Sequence, residues 1–447
     1  MNSHYHILPS DPSILSLDPL GLCDEDEPST WLVIVSAIGS FRKQISSSQG
    51  IHAIPNLIQD LSYSVHMNGH LDTTFLNQFV LDNYPDPESP VASQILNNIL
   101  DAALELPSLF PTHRIPYLNQ HNPLLEFSTL HIRSLLSHQF LNTLSPPKGN
   151  EWGCTFSCWY SGQPPLPDVV SGYLTALFDY FIHPVDFTNR VFYRYHTSPL
   201  PKDSLSFWTT GQKYSLFDYL VIEPVSIQSV PFPHEKVTCT LIASNSSPGF
   251  GASCTQEELV TAACPPLLPM GALFISPPIS PDATIVVQGN MPIFHWTGQG
   301  REARFLGKYT NMNHTFVFLD ASELDIVTES NSDDSIPDLD PKYLFRDLHK
   351  ALIGFSALVQ LGIKAVASPL WGAGAFGGNP IIKTLILGAA AARAGISIHL
   401  SVDKARIYQQ GTDDESKELI HILECLKQDW KCLMVEDVVQ KLHSGTL

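Results

Sequence analysis

Residues 364–402 constrain the fold more than any other part of the chain, because they join a strand, a glycine-rich turn, a helix and a second strand. Residues 364–368 (Lys-Ala-Val-Ala-Ser) are a short β-rich run, and Trp-Gly-Ala-Gly-Ala-Phe-Gly-Gly follows at 371–378. The pattern predicts a helix over 380–394 and a strand over 396–402. Strands that alternate with helices indicate an α/β sheet.

The pattern of apolar residues along the chain differs on the two sides of residue 150. Upstream, apolar residues recur at three- and four-residue steps and predict helices over 91–104 and 129–141. One more buried helix is predicted downstream, over 171–183. Downstream, short β-rich runs between turn residues predict strands, at 220–222, 237–242, 283–287 and 315–319. We therefore predict a poorly ordered, Pro/Ser/Asp-rich segment (1–30), a helical region (31–150) and an α/β domain (151–447).

Composition limits the partners that this chain can have. Its net charge of −19 argues against a protein that coats nucleic acid, since phosphate binding needs clustered Lys and Arg. No apolar run approaches the roughly 20 residues of a membrane helix. The N-terminus has no basic region followed by an apolar stretch, so it does not predict a secretory signal. The eight cysteines are scattered, and we expect a nuclear or cytoplasmic protein with reduced thiols.

A glycine-rich loop that runs into two carboxylates is the first candidate site. Gly249-Phe-Gly-Ala-Ser-Cys-Thr-Gln-Glu-Glu258 brings a backbone without Cβ atoms next to groups that can move protons. Thr255 and Glu258 also fit a helix capping box, which is a structural role. Catalysis by Glu258 would need burial strong enough to outweigh the helix N-terminus, which favours the ionised carboxyl.

The second candidate is the turn at 371–378. Gly372-Ala-Gly374-Ala-Phe-Gly377 matches G-x-G-x-x-G, and backbone amides at such a turn can hold a diphosphate. The alternative is a tight strand-to-helix turn without a ligand. The stretch departs from a dinucleotide-binding unit, because Asp403 lies too far along and little chain remains for further strands.

Two other patterns favour ordinary structural roles. His66 and His70 have the spacing of a metal pair, but Gly69 weakens the helix and no Glu adjoins them, so we predict no metal site. The acidic run over 320–340 is most simply a solvated loop.

Taken together, these residues resemble the poly(ADP-ribose) glycohydrolase family. The glycine-rich loop ending in Gln-Glu-Glu and the Trp-Gly-x-Gly-Ala-Phe-Gly-Gly element are family signatures. Tyr309-Thr310 and the segment 346–355 resemble further family segments, and 107–146 resembles its helical region. The resemblance covers roughly residues 80 to 425 in order, with two specific motifs.

The resemblance implies a macrodomain, with a mixed β-sheet flanked by helices, behind an N-terminal helical accessory region. It implies metal-independent hydrolysis of the ribose–ribose O-glycosidic bond of poly(ADP-ribose), with no cofactor and with ADP-ribose as product. Glu258 would be the general acid, and Glu257 would orient the ribose hydroxyls. The implied substrate-binding residues are Asn245, Gly249, Gly251, Gln256, Tyr309, Gly372, Gly374, Ala375, Phe376 and Gly377.

Several positions depart from the family pattern. Phe250 interrupts the family's triple glycine, and no acid stands upstream at 241–245. Met312 occupies the position of the tyrosine that closes over the substrate, and no aromatic residue lies at 400–402, where a phenylalanine would stack on adenine. We expect an active but divergent enzyme, with about 1–3 kcal/mol less binding energy from the missing ring.

Two other functions remain open from the sequence. One is an ADP-ribose reader that has lost turnover, and the other is a nucleotide-dependent oxidoreductase built on the G-x-G-x-x-G turn. An exposed Glu258 carboxyl that faces a cleft favours the hydrolase, whereas a Glu258 that serves only as a cap favours the reader. The helices of 31–150 are either an accessory surface or a partner-binding module.

Overall fold

The computed structural model describes residues 4–44, 50–66, 71–146, 153–184, 186, 188–199, 201, 204–210, 213–225, 229–230, 237–298, 302–328, 336–403 and 434–445. The chain forms two compact units that interleave along the sequence. The first unit contains Met1–Phe192, Ser247–Pro277 and Gly289–Met312, and the second contains Tyr193–Ser246, Pro278–Gln288 and Asn313–Leu447. These units do not follow the predicted division at residue 150, and the functional division proposed there stays a prediction.

The helices and strands are named here in chain order. The helices are α1 (Thr30–Gln44), α2 (Ile54–His66), α3 (Thr74–Asn83), α4 (Pro90–Leu104), α5 (Leu106–Leu109), α6 (Thr129–Phe140), α7 (Pro167–Ile182), α8 (Ser204–Thr209), α9 (Gln256–Ala263), α10 (Met270–Phe274), α11 (Asp325–Thr328), α12 (Pro341–Gln360), α13 (Pro380–Ala394) and α14 (Val435–Ser444). The strands are β1 (Tyr5–Ile7), β2 (Arg114–Pro116), β3 (Leu124–Ser128), β4 (Arg190–Thr197), β5 (Leu220–Val225), β6 (Ser229–Val230), β7 (Cys239–Ser244), β8 (Ala283–Thr297), β9 (Arg304–Asp320), β10 (Ala365–Ser368) and β11 (Ser397–Asp403). No helix among these described residues is long and apolar enough to cross a membrane.

The first unit is mainly helical, as its apolar periodicity predicts. The helices predicted over 91–104, 129–141 and 171–183 correspond to α4, α6 and α7. Local signals set where α4 begins: Pro90 lies in its first turn, and the Ser89 side chain accepts a hydrogen bond from the N–H of Ala92.

The N-terminal segment differs from its predicted disorder, since β1 pairs antiparallel with β2.

The second unit is built on a sheet in which the strands follow the order β4-β8-β9-β7-β10-β11-β5. Among the five strands β9, β7, β10, β11 and β5, each adjacent pair is parallel. The strands predicted at 220–222, 237–242, 283–287, 315–319, 364–368 and 396–402 all lie in this sheet, although their ends differ by a few residues. The α/β prediction is therefore confirmed.

Helix α13 begins and ends where its sequence signals predict. The Asn379 side chain accepts hydrogen bonds from the N–H groups of Ile381 and Ile382, with Pro380 in the first turn. Gly395 ends the helix at a φ of 78°, in the left-handed region that suits glycine. The apolar faces of α12 and α13 are buried in the core of this unit, so the turn before α13 is held by a packed helix.

Parallel strands place the segments that follow them at one edge of the second unit. Asn245 follows β7, Ala321 to Glu323 follow β9, and the glycine turn at 371–378 follows β10. Because β7 lies between β9 and β10, these segments lie along the carboxyl edge in the order β9, β7, β10. Ligands of open α/β sheets bind at such an edge.

Candidate active site

Glu257 and Glu258 occupy the first turn of α9, in the first unit. The Glu257 carboxylate accepts a hydrogen bond from the N–H of Gly249, with 3.0 Å between Oε1 and N. This bond folds the glycine loop back onto the helix that follows it. Both side chains are buried, at 5 % exposure for Glu257 and 3 % for Glu258. The loop and the two carboxylates therefore form one local structure, as the sequence predicts.

Glu258 also completes a helix cap. Thr255 Oγ1 accepts from the N–H of Glu258, and Glu258 Oε2 accepts from the N–H of Thr255, each across 3.3 Å. Both halves of the predicted capping box are present. A buried Glu258 that completes a helix cap, taken by itself, favours a structural role for this residue.

The pKa of the Glu258 carboxyl instead favours a role in proton transfer. Burial raises the pKa of the Glu258 carboxyl, while hydrogen bonds from the N–H groups of Thr255, Cys254 and Ser253 lower it, and burial is the larger effect. A cap needs only an ionised acceptor, which a lowered pKa serves best. A raised pKa instead suits a carboxyl that must carry and deliver a proton near neutral pH. At Glu258, burial thus outweighs the hydrogen-bond donors of the helix N-terminus.

Phe250, which interrupts the family's triple glycine, anchors the loop. Its ring is fully buried and lies 4.9 Å from the ring of Phe156 and 5.2 Å from that of Trp159, between centroids. Trp159 Nε1 donates to the carbonyl of Gly251 across 2.9 Å. The loop backbone also lies close to Gly153, where an added Cβ would come within 3.2 Å of Gly249 Cα. This substitution therefore exchanges backbone freedom for an aromatic anchor.

The raised pKa of Glu258 has a measurable consequence for stability. Because folding raises this pKa, the ionised carboxyl destabilises the folded state, and the stabilisation present at low pH is lost as pH rises through the folded-state pKa. We expect Glu258→Gln to unfold at a higher Tm than the wild type, by a margin that grows between about pH 4 and about pH 7.5. Thermal unfolding at both pH values measures this margin.

The exposed Glu88 provides a matched control for that comparison. Glu88→Gln removes a carboxylate of the same unit without removing a buried charge, and should leave the margin near zero at both pH values. A margin for Glu258→Gln that is constant or shrinks with pH would contradict a raised pKa.

The glycine turn between β10 and α13 lies in the second unit. Gly372 and Gly377 have φ angles of 71° and 68°, which side chains with a Cβ rarely adopt. The N–H of Gly377 donates to the carbonyl of Gly374, and that of Gly378 donates to the carbonyl of Gly372, both across 3.0 Å. Gly374, Ala375 and Gly377 are exposed, and Phe376 is half-buried.

The donors that this turn offers to an anion are its own amides. Asn379 already engages the N–H groups of Ile381 and Ile382 at the start of α13. Within the described residues, the N–H groups of Gly374, Ala375 and Phe376 make no backbone hydrogen bond. Three consecutive amides on an exposed turn are donors of the kind that can hold a diphosphate.

A buried network of ion pairs, which sequence reasoning missed, packs against the glycine turn through the Lys383 side chain. Lys383 pairs with Asp338 across 3.0 Å and with Asp347, and all three side chains are buried. The Lys383 side chain lies so close to the turn that a Cβ on Gly378 would come within 2.3 Å of its Cε. The network continues through Arg346, which pairs with Asp347 and Asp320, to Lys350, which also pairs with Asp320.

This network corrects the prediction of a solvated acidic loop over 320–340. Asp320 and Asp338, at its two ends, are buried and paired, while 329–335 lie outside the described residues. The basic residues of 346–350 were the available signal, because buried carboxylates need such partners.

The other predicted residues lie in both units. In the first unit, Gln256 is the first residue of α9, and Tyr309 is 43 % exposed with its ring centroid 3.6 Å from that of His183. In the second, Asn245 Nδ2 donates to Glu323 Oε1 across 3.4 Å. His66 Nε2 contacts the carbonyl oxygen of Asn142 at 2.6 Å, and His70 lies outside the described residues.

Comparison with known proteins identifies the fold and then the family. Residues 235–407 match the family model described as poly(ADP-ribose) glycohydrolase, macro domain fold, and residues 87–195 match the helical domain of the same family. The fold and the two loops thus define an α/β macrodomain protein with a helical N-terminal region. The chain belongs to the poly(ADP-ribose) glycohydrolase family, and is a glycoside hydrolase of the class that acts on poly(ADP-ribose).

The chain shares low sequence identity with solved structures of the family. A poly(ADP-ribose) glycohydrolase from Deinococcus radiodurans in complex with ADP-ribose is 15% identical, with 52% of this chain and 99% of that chain covered and a TM-score of 0.34. The enzyme from Thermomonospora curvata is 12% identical, with 52% and 85% covered and a TM-score of 0.34. No curated protein sequence matches the chain. The assignment rests on the two family models.

Proposed function

We propose that Glu258 is the general acid and base with which this enzyme hydrolyses the ribose–ribose bond of poly(ADP-ribose) and releases ADP-ribose. The observation that supports this role is a raised pKa on a carboxyl that a helix N-terminus would otherwise keep ionised. Protonated Glu258 gives its proton to the leaving ribose oxygen. The resulting carboxylate then takes a proton from the water that attacks the anomeric carbon, which restores the acid.

Glu257 orients the hydroxyls of the reacting ribose in this proposal. Its Oε1 accepts from the Gly249 amide, which fixes the carboxylate relative to the loop. Neighbouring glutamates on one helix turn are not the opposed pair of most glycosidases, so a separate nucleophilic carboxylate is not part of the mechanism.

The remaining predicted residues bind substrate in this proposal. The amides of Gly374, Ala375 and Phe376 hold the diphosphate, and the left-handed glycines at 372 and 377 shape the turn that presents them. Gly249, Gly251, Gln256, Asn245 and Tyr309 contact the sugar and base portions. Phe376 contributes its amide and a half-buried ring.

The proposed partners are poly(ADP-ribose) chains on ADP-ribosylated proteins. The net charge of −19 opposes direct nucleic-acid binding, so the polymer is recognised at a local site. We place the enzyme in the nucleus, the cytoplasm or both, where it would turn over ADP-ribosylation made in response to DNA damage.

Purified poly(ADP-ribose) tests this function directly. We expect the wild-type chain to release free ADP-ribose with a chelator present, and to leave the last unit on a protein that carries a single ADP-ribose. Binding of ADP-ribose without release would identify a reader. Loss of the single protein-linked unit would contradict the predicted bond specificity, and NAD binding without preference for ADP-ribose would favour the oxidoreductase.

A further inference from the structure

A cavity of about 390 Å³ lies at the carboxyl end of β9, next to Asn245 and wholly within the second unit. Its walls include Ile279, Pro281, Glu323, Lys342 and Tyr343. Asn245, the predicted substrate residue that follows β7, donates a hydrogen bond to Glu323 in the cavity wall. The cavity therefore adjoins Asn245.

The order of segments along the sheet edge gives this cavity a place in the reaction. The diphosphate turn follows β10, Asn245 follows β7, and the cavity follows β9. A polymer unit that placed its diphosphate on the turn and its reacting ribose at Asn245 would direct the bond to be broken towards β9. The neighbouring unit of the polymer, which departs when that bond breaks, would extend in the same direction.

The charges of the cavity suit a nucleotide rather than a simple anion. Arg346 and Asp320 line it, but each is neutralised within the buried network, which contains three cations and three carboxylates (Arg346, Lys350 and Lys383 with Asp320, Asp338 and Asp347). The exposed charges that remain on the wall are the Lys342 ammonium and the Glu323 carboxylate. One cation for a phosphate and one acceptor for hydroxyl or amino hydrogens match an adenosine phosphate.

The apolar part of the wall suits a purine base. The Tyr343 ring is half-buried, and the Lys342 ammonium lies 4.9 Å from its centroid. Ile279 and Pro281 supply aliphatic surface to the same cavity. A base held against an aromatic ring gains roughly 1–3 kcal/mol of binding, which is about 5- to 150-fold in affinity.

We propose that this cavity is a subsite for the adenosine phosphate portion of the polymer unit on the leaving side of the scissile bond. The proposal rests on the proposed function and extends it, because it makes the enzyme recognise two consecutive units. Such a subsite also offsets the adenine-stacking ring that is absent at 400–402.

The test compares ADP-ribose with its ribose–ribose-linked dimer, by calorimetry, in the Glu258→Gln variant, in which cleavage of the dimer is expected to be about 10²–10⁴-fold slower. We expect the dimer to bind about tenfold more tightly than ADP-ribose. Lys342→Glu should bring this ratio to about one and leave ADP-ribose affinity unchanged. Tyr343→Ala should lower the ratio in the same way.

Lys364→Glu is the matched control, because Lys364 is an exposed lysine that precedes β10, at the opposite edge of the sheet. It should leave the ratio at about ten. Equal affinities for monomer and dimer in the parent would overturn the subsite, as would a Lys342→Glu variant that weakens both ligands equally. If wild type releases ADP-ribose from polymer in that case, only the subsite fails; if it releases none, the proposed function fails.

Discussion

Glu258→Gln is expected to lower kcat for release of ADP-ribose from poly(ADP-ribose) by about 10²–10⁴-fold, while ADP-ribose still binds. A glutamine side chain has no proton to give to the leaving ribose oxygen. Its amide oxygen can still accept the hydrogen bond from the N–H of Thr255 that completes the helix cap. The variant therefore separates proton transfer from the structural role of this residue. Release of ADP-ribose from purified polymer and calorimetric affinity for ADP-ribose measure the two effects.

Glu88→Gln is the control, since it changes an exposed carboxylate of the same unit and should keep wild-type kcat. A Glu258→Gln variant that retained most of the wild-type kcat would restrict Glu258 to the cap and remove it from the mechanism. Binding of ADP-ribose by both proteins with release by neither would identify a reader.

Lys383→Met is expected to lower the free energy of unfolding by about 3–5 kcal/mol, because it leaves buried Asp338 without its cation and leaves Asp347 paired with Arg346 alone. Asp338 is 2 % exposed and Asp347 is fully buried, so neither can recover its hydration in place. The variant should also weaken ADP-ribose binding, since Lys383 packs beneath Gly372 and Gly378 in the proposed diphosphate turn. Denaturant unfolding and calorimetry measure the two effects.

Two variants make this prediction specific. Arg42→Met breaks the exposed pair with Asp101, and should cost less than about 1 kcal/mol. Asp338→Asn combined with Lys383→Met removes the carboxylate that has lost its cation, and should recover part of the lost stability. A loss from Lys383→Met no larger than that from Arg42→Met would contradict the importance of the network.

The loops illustrate how far sequence reasoning reaches in this protein. The capping box at Thr255 and Glu258 was predictable because it depends on residues three positions apart. The order of strand, turn and helix around 371–378 was predictable for the same reason. The sequence shows that Phe250 replaces a glycine of the family's triple glycine, but it does not show what the Phe250 side chain contacts. Only packing against Phe156 and Trp159, about 90 residues upstream, identifies this ring as an anchor.

The sequence by itself determined the family, the α/β class and the local form of both loops, because backbone propensities, caps and glycine conformations are set by neighbouring residues. Only the tertiary structure showed that burial raises the pKa of the Glu258 carboxyl, because burial depends on side chains from distant segments. It also decided that the acids at the ends of 320–340 pair within a buried network instead of facing solvent. Lys383 and Asp347 are separated by 36 residues, and only the packing of α12 beside α13 brings them together.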